Sequence, residues 1–459
     1  MVESNGINRL VYDFFEARIL FGYYSCGDNL PSISKICSMF NMATATVRTA
    51  LARLEKKGYI RVDARKAPKV TYNALPEKVR ENATIYLVRR EKGIADIFRT
   101  GEYLFGSLWE AGVYRWDQDT LVRLRSALTT PAQGMVPMPI EFYLMAFDGL
   151  HNGLISSLYW DVIQYMMFPY LENHDDEELL PEVMKGNSLE EVITVLNRRL
   201  LEKNRQSEGR VFAFLEEVRA KYPDMEQIPF GWTIYRQRPQ IRYSLVSQII
   251  REILSGTYPA GSYLPSLPQM AQKYGVAMST VRRTLSMLDA LGFVTSYQGK
   301  GTQVRIHPDH PNCSGKDVKE GMRLYREGLE LLTLTVGPVS RYMLGSIPEE
   351  KRNDLIRLFD GLHAAGISYL CFERYLTFIR SECPSALIRE CYGHILELLA
   401  WGYPFALQKR KDQNLHLEYD RFVSEAVACL KNGETAAFSE KWAELMCREE
   451  RQFAETYGL

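Results

Sequence analysis

The sequence lacks a membrane span, a secretory signal pattern and any closely spaced cysteine pair. Its most apolar run, residues 154–171, is interrupted by Asp161 and Gln164, which favours a buried helix over a spanning one. The eight cysteines include no CxxC motif, and no charged and apolar leader opens the chain. We therefore expect a reduced cytoplasmic protein without disulfides, structural metal or membrane contact.

Catalytic motifs are missing as well. The sequence contains no nucleophile elbow, no phosphate-binding loop and no paired-carboxylate motif, and its seven histidines are scattered. At 459 residues the chain exceeds the size of a single hydrophobic core, which seldom grows beyond about 250 to 300 residues. We predict a protein of several domains that is not an enzyme and uses no cofactor.

The formal net charge of zero conceals two basic segments. Residues 1–75 contain eleven Lys and Arg against six Asp and Glu, and residues 240–307 contain seven against two, so each segment carries +5. The remainder of the chain carries −10. Two basic segments in an otherwise acidic chain favour contact with phosphate, and the expected partner is double-stranded DNA.

The second basic segment has the pattern of a helix-turn-helix followed by a hairpin. Apolar residues repeat at helical spacing on one side of its second helix, at Val281, Leu285 and Leu288. The opposite side is polar and basic, with Ser279, Thr280, Arg282 and Arg283. Gly299, Lys300 and Gly301 then predict a tight basic turn between two strands, which is typical of a wing.

The first basic segment repeats this pattern 234 residues earlier. The blocks that correspond in register are Leu30, Pro31 and Ser32 with Leu264, Pro265 and Ser266; Thr46, Val47 and Arg48 with Thr280, Val281 and Arg282; and Gly58, Tyr59 and Ile60 with Gly292, Phe293 and Val294. The first wing differs, because Arg65, Lys66, Ala67 and Pro68 replace the glycine-bearing tip. Without glycine, a positive-φ turn is not expected there, although the positive charge is retained.

These blocks, together with Gly299, Lys300, Gly301 and Thr302, resemble the GntR family of bacterial transcription regulators. The resemblance covers residues 240–307 and, with an altered wing, residues 7–72. It implies two winged helix-turn-helix domains that bind DNA. A winged helix that only holds proteins together is the alternative.

Two helical regions resemble, more weakly, the effector domain of the FadR branch of that family. The resemblance implies six or seven helices around a cavity for a small-molecule effector. Many such domains hold a metal through Asp-x3-His and two later histidines, but Glu373, Thr377, Val423 and Leu445 stand at those positions, so we expect no metal. Arg326 or Arg374 could hold an anionic effector, and a solvated arginine is the alternative for each. The aromatic residues of the first region could line the cavity or form core: Trp109, Tyr114, Trp116, Tyr159, Trp160 and Tyr165.

We therefore predict a mainly α fold with two winged helix-turn-helix domains, each followed by an all-α bundle. The predicted order is winged helix 1–77, bundle 78–222, linker 223–239, winged helix 240–307 and bundle 308–459. Family members bind DNA as homodimers, so the duplication implies an intrachain pseudo-dimer that binds two unlike half-sites.

Candidate DNA contacts follow from the helix-turn-helix pattern and from the resemblance. In the first module they are Thr44, Thr46, Arg48, Thr49, Arg65, Lys66 and Lys69. In the second they are Ser266, Ser279, Thr280, Arg282, Arg283, Lys300 and Gly301. Pro268 and Met278 depart from the family pattern, which indicates an unusual operator or a weakened module. A protein-interaction scaffold and a ligand sensor with degenerate winged helices are the alternatives to a DNA-binding regulator.

Overall fold

The computed structural model describes residues 8–40, 42–63, 66–73, 75–129, 138–166, 188–232, 241–305, 315–404 and 415–457. Within these ranges the chain is mainly helical, with two small antiparallel sheets of two strands each. It divides into two compact units, the first comprising Met1–Arg99, Trp109–Asn152 and Ser156–Arg236, and the second comprising Thr100–Leu108, Gly153–Ile155 and Gln237–Leu459. The mainly α fold with two winged helices is confirmed.

The elements of the first half of the chain begin with a winged helix. It consists of α1 (Asn8–Leu20), α2 (Ile33–Phe40), α3 (Thr44–Lys56), β1 (Ile60–Arg61) and β2 (Lys69–Val70). The helices that follow are α4 (Pro76–Val88), α5 (Glu91–Thr100), α6 (Glu102–Tyr114), α7 (Gln118–Thr129), α8 (Met138–Asp148), α9 (Gly153–Tyr165) and α10 (Leu189–Arg219).

The second half also begins with a winged helix that is followed by helices. Its winged helix consists of α11 (Ile241–Leu254), α12 (Leu267–Tyr274), α13 (Met278–Ala290), β3 (Val294–Tyr297) and β4 (Gly301–Val304). The helices that follow are α14 (Lys316–Ser346), α15 (Glu349–Ala364), α16 (Cys371–Glu382), α17 (Ala386–Leu398), α18 (Leu415–Lys431) and α19 (Thr435–Tyr457), with short 3-10 turns at Ser368–Leu370 and Leu399–Gly402.

Aromatic side chains join the first winged helix to the helices of its own unit. Trp160 of α9 lies with its ring centre 4.8 Å from that of Phe40 and 6.0 Å from that of Phe14. All three side chains are buried. Aromatic burial of this extent contributes strongly to a core, so the first winged helix is packed onto α9.

The aromatic residues that were candidates for a cavity in this unit are mostly buried. Trp109, Trp116, Tyr159, Trp160 and Tyr165 lie in the core, whereas Tyr114 is 91% exposed. The Trp109 indole donates a hydrogen bond to Asn197 Oδ1 at 2.5 Å. Their burial favours core packing over a lining role.

Part of the predicted linker packs on the first unit. The Ile228 N–H donates to the Arg89 carbonyl at 2.6 Å, and the Tyr165 hydroxyl donates to the Ile228 carbonyl at 2.5 Å. Phe230 and Trp232 are buried. Residues 223–232 are therefore anchored to the first unit, while the rest of that segment, residues 233–239, lies outside the described residues.

The core of the second unit surrounds α14, which packs along α19. Tyr375 stacks on Trp442 with ring centres 4.4 Å apart, and its hydroxyl donates to Ser340 Oγ at 2.6 Å. Gly321 of α14 admits the indole of Trp401, since a Cβ at that glycine would lie 2.3 Å from the ring. The buried hydroxyl of Tyr375 is thus paired, and the close approach of α14 to Trp401 requires glycine.

At the four positions where the family resemblance would place metal ligands, the side chains make other contacts or are buried. The Thr377 hydroxyl donates to the Glu373 carbonyl at 2.7 Å, and Val423 and Leu445 are buried. Across the described ranges, no group of three or more His, Cys, Asp or Glu side chains is arranged to hold a metal ion. Arg326 and Arg374 are exposed, which agrees with the alternative that each is a solvated arginine and not an effector ligand.

No helix in the described part of the chain combines the length and the apolar character needed to cross a bilayer.

Candidate nucleic-acid interface

The second helix-turn-helix begins with a capping interaction. The backbone N–H and the hydroxyl of Ser266 both donate to Gln269 Oε1, at 2.9 and 2.7 Å. Gly275 ends α12 in the left-handed region with φ of 63°, which is the conformation that favours glycine. Ser266, a candidate DNA contact, is exposed but its hydroxyl is already used to fix the start of α12.

Helix α13 has a buried face and a polar face, as the sequence pattern predicts. Val281, Leu285 and Leu288 are buried. Ser279, Arg282 and Arg283 are exposed, whereas Thr280 is half-buried. Within the described residues, neither arginine takes part in an ion pair. Both guanidinium groups are therefore available to an anionic ligand.

The second wing is a regular hairpin with a basic tip. Val294 pairs with Val304 and Tyr297 pairs with Gly301, so the turn contains Lys300. Gly299 and Gly301 have φ values of 76° and 103°. Both conformations favour glycine, and Lys300 is exposed between them. The candidate contacts Lys300 and Gly301 therefore lie together at the tip.

The scaffold of the first module repeats that of the second in its hydrogen bonds. The Gly27 N–H donates to the Val70 carbonyl at 2.9 Å, and the Gly261 N–H donates to the Val304 carbonyl at 2.8 Å. Ile60 pairs with Val70, in the register of Val294 with Val304. The internal repeat found in the sequence therefore extends to equivalent backbone contacts.

The exposed face of α3 differs from that of α13. Thr44, Arg48 and Thr49 are exposed, and Thr46 is half-buried. The Thr49 hydroxyl donates to the Ala45 carbonyl at 2.9 Å, and the Cys37 thiol lies 3.8 Å from the Thr44 hydroxyl oxygen. Among the candidates on this helix, Arg48 is the exposed charged group, while two threonine hydroxyls already have partners in the protein.

The first wing is shorter than the second. Its strands contain two residues each, and Lys66 and Lys69 are exposed. Among the described residues 66–73, none has a positive φ, in keeping with the lack of glycine in this wing. Arg65, the remaining candidate contact, lies outside the described residues.

A cluster of polar side chains connects α11 and α12 of the second module. Lys273 Nζ donates to Glu252 Oε2 at 2.8 Å and to the Tyr258 hydroxyl at 2.9 Å, and the Tyr274 hydroxyl donates to Glu252 Oε2 at 2.8 Å. Burial alone would raise the pKa of Glu252, but these hydrogen bonds lower it below its usual value. Lys273 is therefore occupied in holding α11 and α12 together.

An exposed residue on the polar face of α13 was not among the predicted contacts. Ser286 lies on α13 four residues after Arg282 and is exposed on the same side of the helix. Helical periodicity extended by one more turn would have included it.

Comparisons with known proteins match both modules. The family described as "Bacterial regulatory proteins, gntR family" matches residues 8–70 and 243–304. A "Probable fructoselysine utilization operon transcriptional repressor" from Escherichia coli (strain K12) is 35% identical over 71 residues, which are 15% of this chain and 29% of that protein. "HTH-type transcriptional regulator Mce2R" from Mycobacterium tuberculosis is 34% identical over 91 residues, which are 20% of this chain and 36% of that protein. The chain thus spans about a third of the length of these relatives.

Solved structures with similarity to this chain include Streptococcus agalactiae GntR, at 18% identity and a TM-score of 0.19, covering 46% of this chain and 99% of that one. A putative transcriptional regulator GntR from Rhodococcus sp. RHA1 has 18% identity and a TM-score of 0.22, covering 47% of this chain and 99% of that one. The likeness to the family therefore depends on the two sequence matches. Those matches show that the chain carries the winged helix-turn-helix domain of the GntR family twice, at residues 8–70 and 243–304.

Proposed function

We propose that this chain is a bacterial, cytoplasmic transcription regulator that binds specific double-stranded DNA. The observation that carries the proposal is the free basic face of α13, where Arg282 and Arg283 are exposed beside a wing with Lys300 at its tip. The bacterial relatives named above, a repressor and a regulator, support the same class of function.

In the proposed complex, α13 enters the major groove and the wing contacts the backbone. An arginine in the groove can donate two hydrogen bonds to guanine O6 and N7, which gives specificity. Lys300 in the second wing and Lys66 and Lys69 in the first contact phosphates, which gives affinity that depends on salt. In this proposal Arg282 and Arg283 contact bases, and the lysines contact the phosphates of the DNA backbone.

The duplication supports an intrachain pseudo-dimer in which one chain binds two unlike half-sites. For two helix-turn-helix modules on the same side of the duplex, half-sites lie about 34 Å apart, or one helical turn. Light scattering with footprinting tests this arrangement. One chain protecting two half-sites is expected, whereas a stable dimer of chains protecting four half-sites would contradict it.

We further propose that the helical bundles bind a small-molecule effector that changes DNA affinity. A ligand shifts such an equilibrium only if it binds one arrangement of the modules better than another. Thermal unfolding across metabolite sets tests the proposal. A ligand that raises the melting temperature should also change DNA affinity, and uniform melting temperatures across a broad set would contradict effector binding.

The DNA-binding proposal is tested by electrophoretic mobility shift at several salt concentrations, after selection of a site from random duplexes. Arg282→Ala should weaken specific binding by about 1–3 kcal/mol, since a good base contact has that value. Lys300→Ala should mainly reduce the salt slope by about one. Arg421→Ala, an exposed arginine of α18, is the matched control and should bind as the parent does. Absence of duplex binding at every salt concentration would contradict the proposal and favour the protein-interaction scaffold.

A further inference from the structure

Three neighbouring residues on the outer side of α3 offer a ligand no free side-chain hydrogen-bond donor. Ala45, Thr49 and Ala52 are all exposed on the side of α3 opposite its buried residues. The hydroxyl of Thr49 is turned back to the Ala45 carbonyl at 2.9 Å. This part of the exposed face of α3 therefore presents methyl groups, and the exposed Lys56 follows it in the last turn.

The equivalent positions of α13 carry the opposite chemistry. Counting 234 residues along the chain, Ala45, Thr49 and Ala52 correspond to Ser279, Arg283 and Ser286. All three residues of α13 are exposed. Arg48 and Arg282 correspond to each other, so each helix keeps one arginine at the same place. The two recognition helices thus share a charged contact and differ in the residues around it.

The major groove contains one apolar group that such a face can recognise, the C5-methyl of thymine. Alanine and the methyl of threonine contact this group, whereas serine and arginine make hydrogen bonds to base edges. We propose that α3 recognises thymine methyl groups through Ala45, Thr49 and Ala52, while Arg48 supplies the hydrogen-bonded contact. This inference rests on the proposed DNA-binding function and gives the base composition of its first half-site.

The composition of the second half-site follows from the same comparison. Ser279, Arg283 and Ser286 offer donors and acceptors where α3 offers methyl groups, so the half-site of α13 is read mainly by hydrogen bonds. Replacement of thymine by uracil removes only the methyl group and leaves every hydrogen-bonding atom of the base in place. Replacement by uracil therefore distinguishes recognition of the thymine methyl group from recognition by hydrogen bonds.

The experiment uses the full chain and a duplex selected from random sequence. Each thymine of each half-site is replaced by uracil in turn, and affinity is measured at fixed salt. Loss of one buried methyl contact should weaken binding about four-fold, which corresponds to about 0.8 kcal/mol. We expect this loss at two or more thymines of the half-site bound by α3 and less than a two-fold change at the half-site bound by α13.

A variant with three changes, Ala45→Ser, Thr49→Arg and Ala52→Ser, gives α3 the exposed residues of α13. These positions are exposed, so the parent's melting temperature should be retained. Replacement of thymine by uracil should no longer weaken binding of the variant. The half-site sequence that the variant selects through α3 should become more similar to the sequence selected by α13.

Two results would overturn the inference while leaving DNA binding intact. One is a first half-site at which uracil has no effect on the parent protein. The other is protection of the second half-site without any protection of the first. Failure of the chain to bind any duplex in a salt-dependent manner would instead contradict the proposed function itself.

Discussion

His394 of α17 lies between two carboxylates of its own helix, and we expect it to make stability depend on pH. Its Nε2 lies 3.2 Å from Glu390 Oε1, and its Nδ1 lies 3.6 Å from Glu397 Oε2. The side chain is 27% exposed. Burial alone would lower the pKa of His394, but interaction with Glu390 and Glu397 outweighs it and raises the pKa to about 9.

The direction of the effect follows from that pKa. In the unfolded chain an imidazole has a pKa of about 6.5, so the folded state binds the proton more tightly. The resulting stability is present in full below about pH 6.5 and is lost as the pH rises to about 9. At about 1.4 kcal/mol for each unit of pKa, the difference between 6.5 and about 9 corresponds to at most about 3.5 kcal/mol.

The assay is urea unfolding of the parent and of His394→Gln at pH 6 and at pH 9.5. Glutamine is neutral at both, so the free energy of unfolding should fall more steeply with pH for the parent than for the variant. His151→Asn, which replaces an exposed histidine in a turn, is the control and should follow the parent. If the parent and His394→Gln differ by the same free energy at both pH values, His394 is not held in its charged form.

Four further substitutions probe packing and the wing. Gly321→Ala should destabilise the second unit by about 1–3 kcal/mol in urea unfolding, because its Cβ would lie 2.3 Å from Trp401. Gly345→Ala in the same helix meets nothing within 4 Å and should be neutral or slightly stabilising in the same assay. Trp160→Ala should lower the free energy of unfolding of the first unit by about 3–5 kcal/mol in urea. Gly299→Ala forces an L-residue to φ of 76° at a cost of about 1–2 kcal/mol, so the melting temperature should fall and mobility shift should show weaker DNA binding.

The internal repeat allowed much of the two winged helices to be predicted from sequence. The offset of 234 residues gives both modules the same strand register, which the pairs Ile60 with Val70 and Val294 with Val304 confirm. Burial of Val281 and Leu288 was also predicted correctly. These features follow from local periodicity and from glycine at turns, and both are visible in a short stretch of sequence.

Other features depend on contacts that no short stretch contains. Trp160 packs on Phe40, far away in the chain, and nothing near Trp160 distinguishes this docking role from lining a cavity. The Thr49 hydroxyl is a plausible base contact in sequence, but a helical threonine can also donate to a carbonyl four residues earlier, as it does here. Rotamers and tertiary neighbours decide such cases, and neither is encoded by residue type alone.

Under the proposed function, the duplicated chain has two specificities without a cost in stability. The buried residues and backbone hydrogen bonds of the scaffold are equivalent in both copies, for example the bonds from Gly27 and Gly261. The differences lie at exposed positions such as Ala45 and Ser279, where substitution changes stability by less than about 0.5 kcal/mol. A homodimer of identical chains must present the same recognition helix twice, so any change alters both half-sites together. In a single chain with two modules, each recognition helix can change independently. The different exposed faces of α3 and α13 on equivalent scaffolds therefore favour an operator with two unlike half-sites.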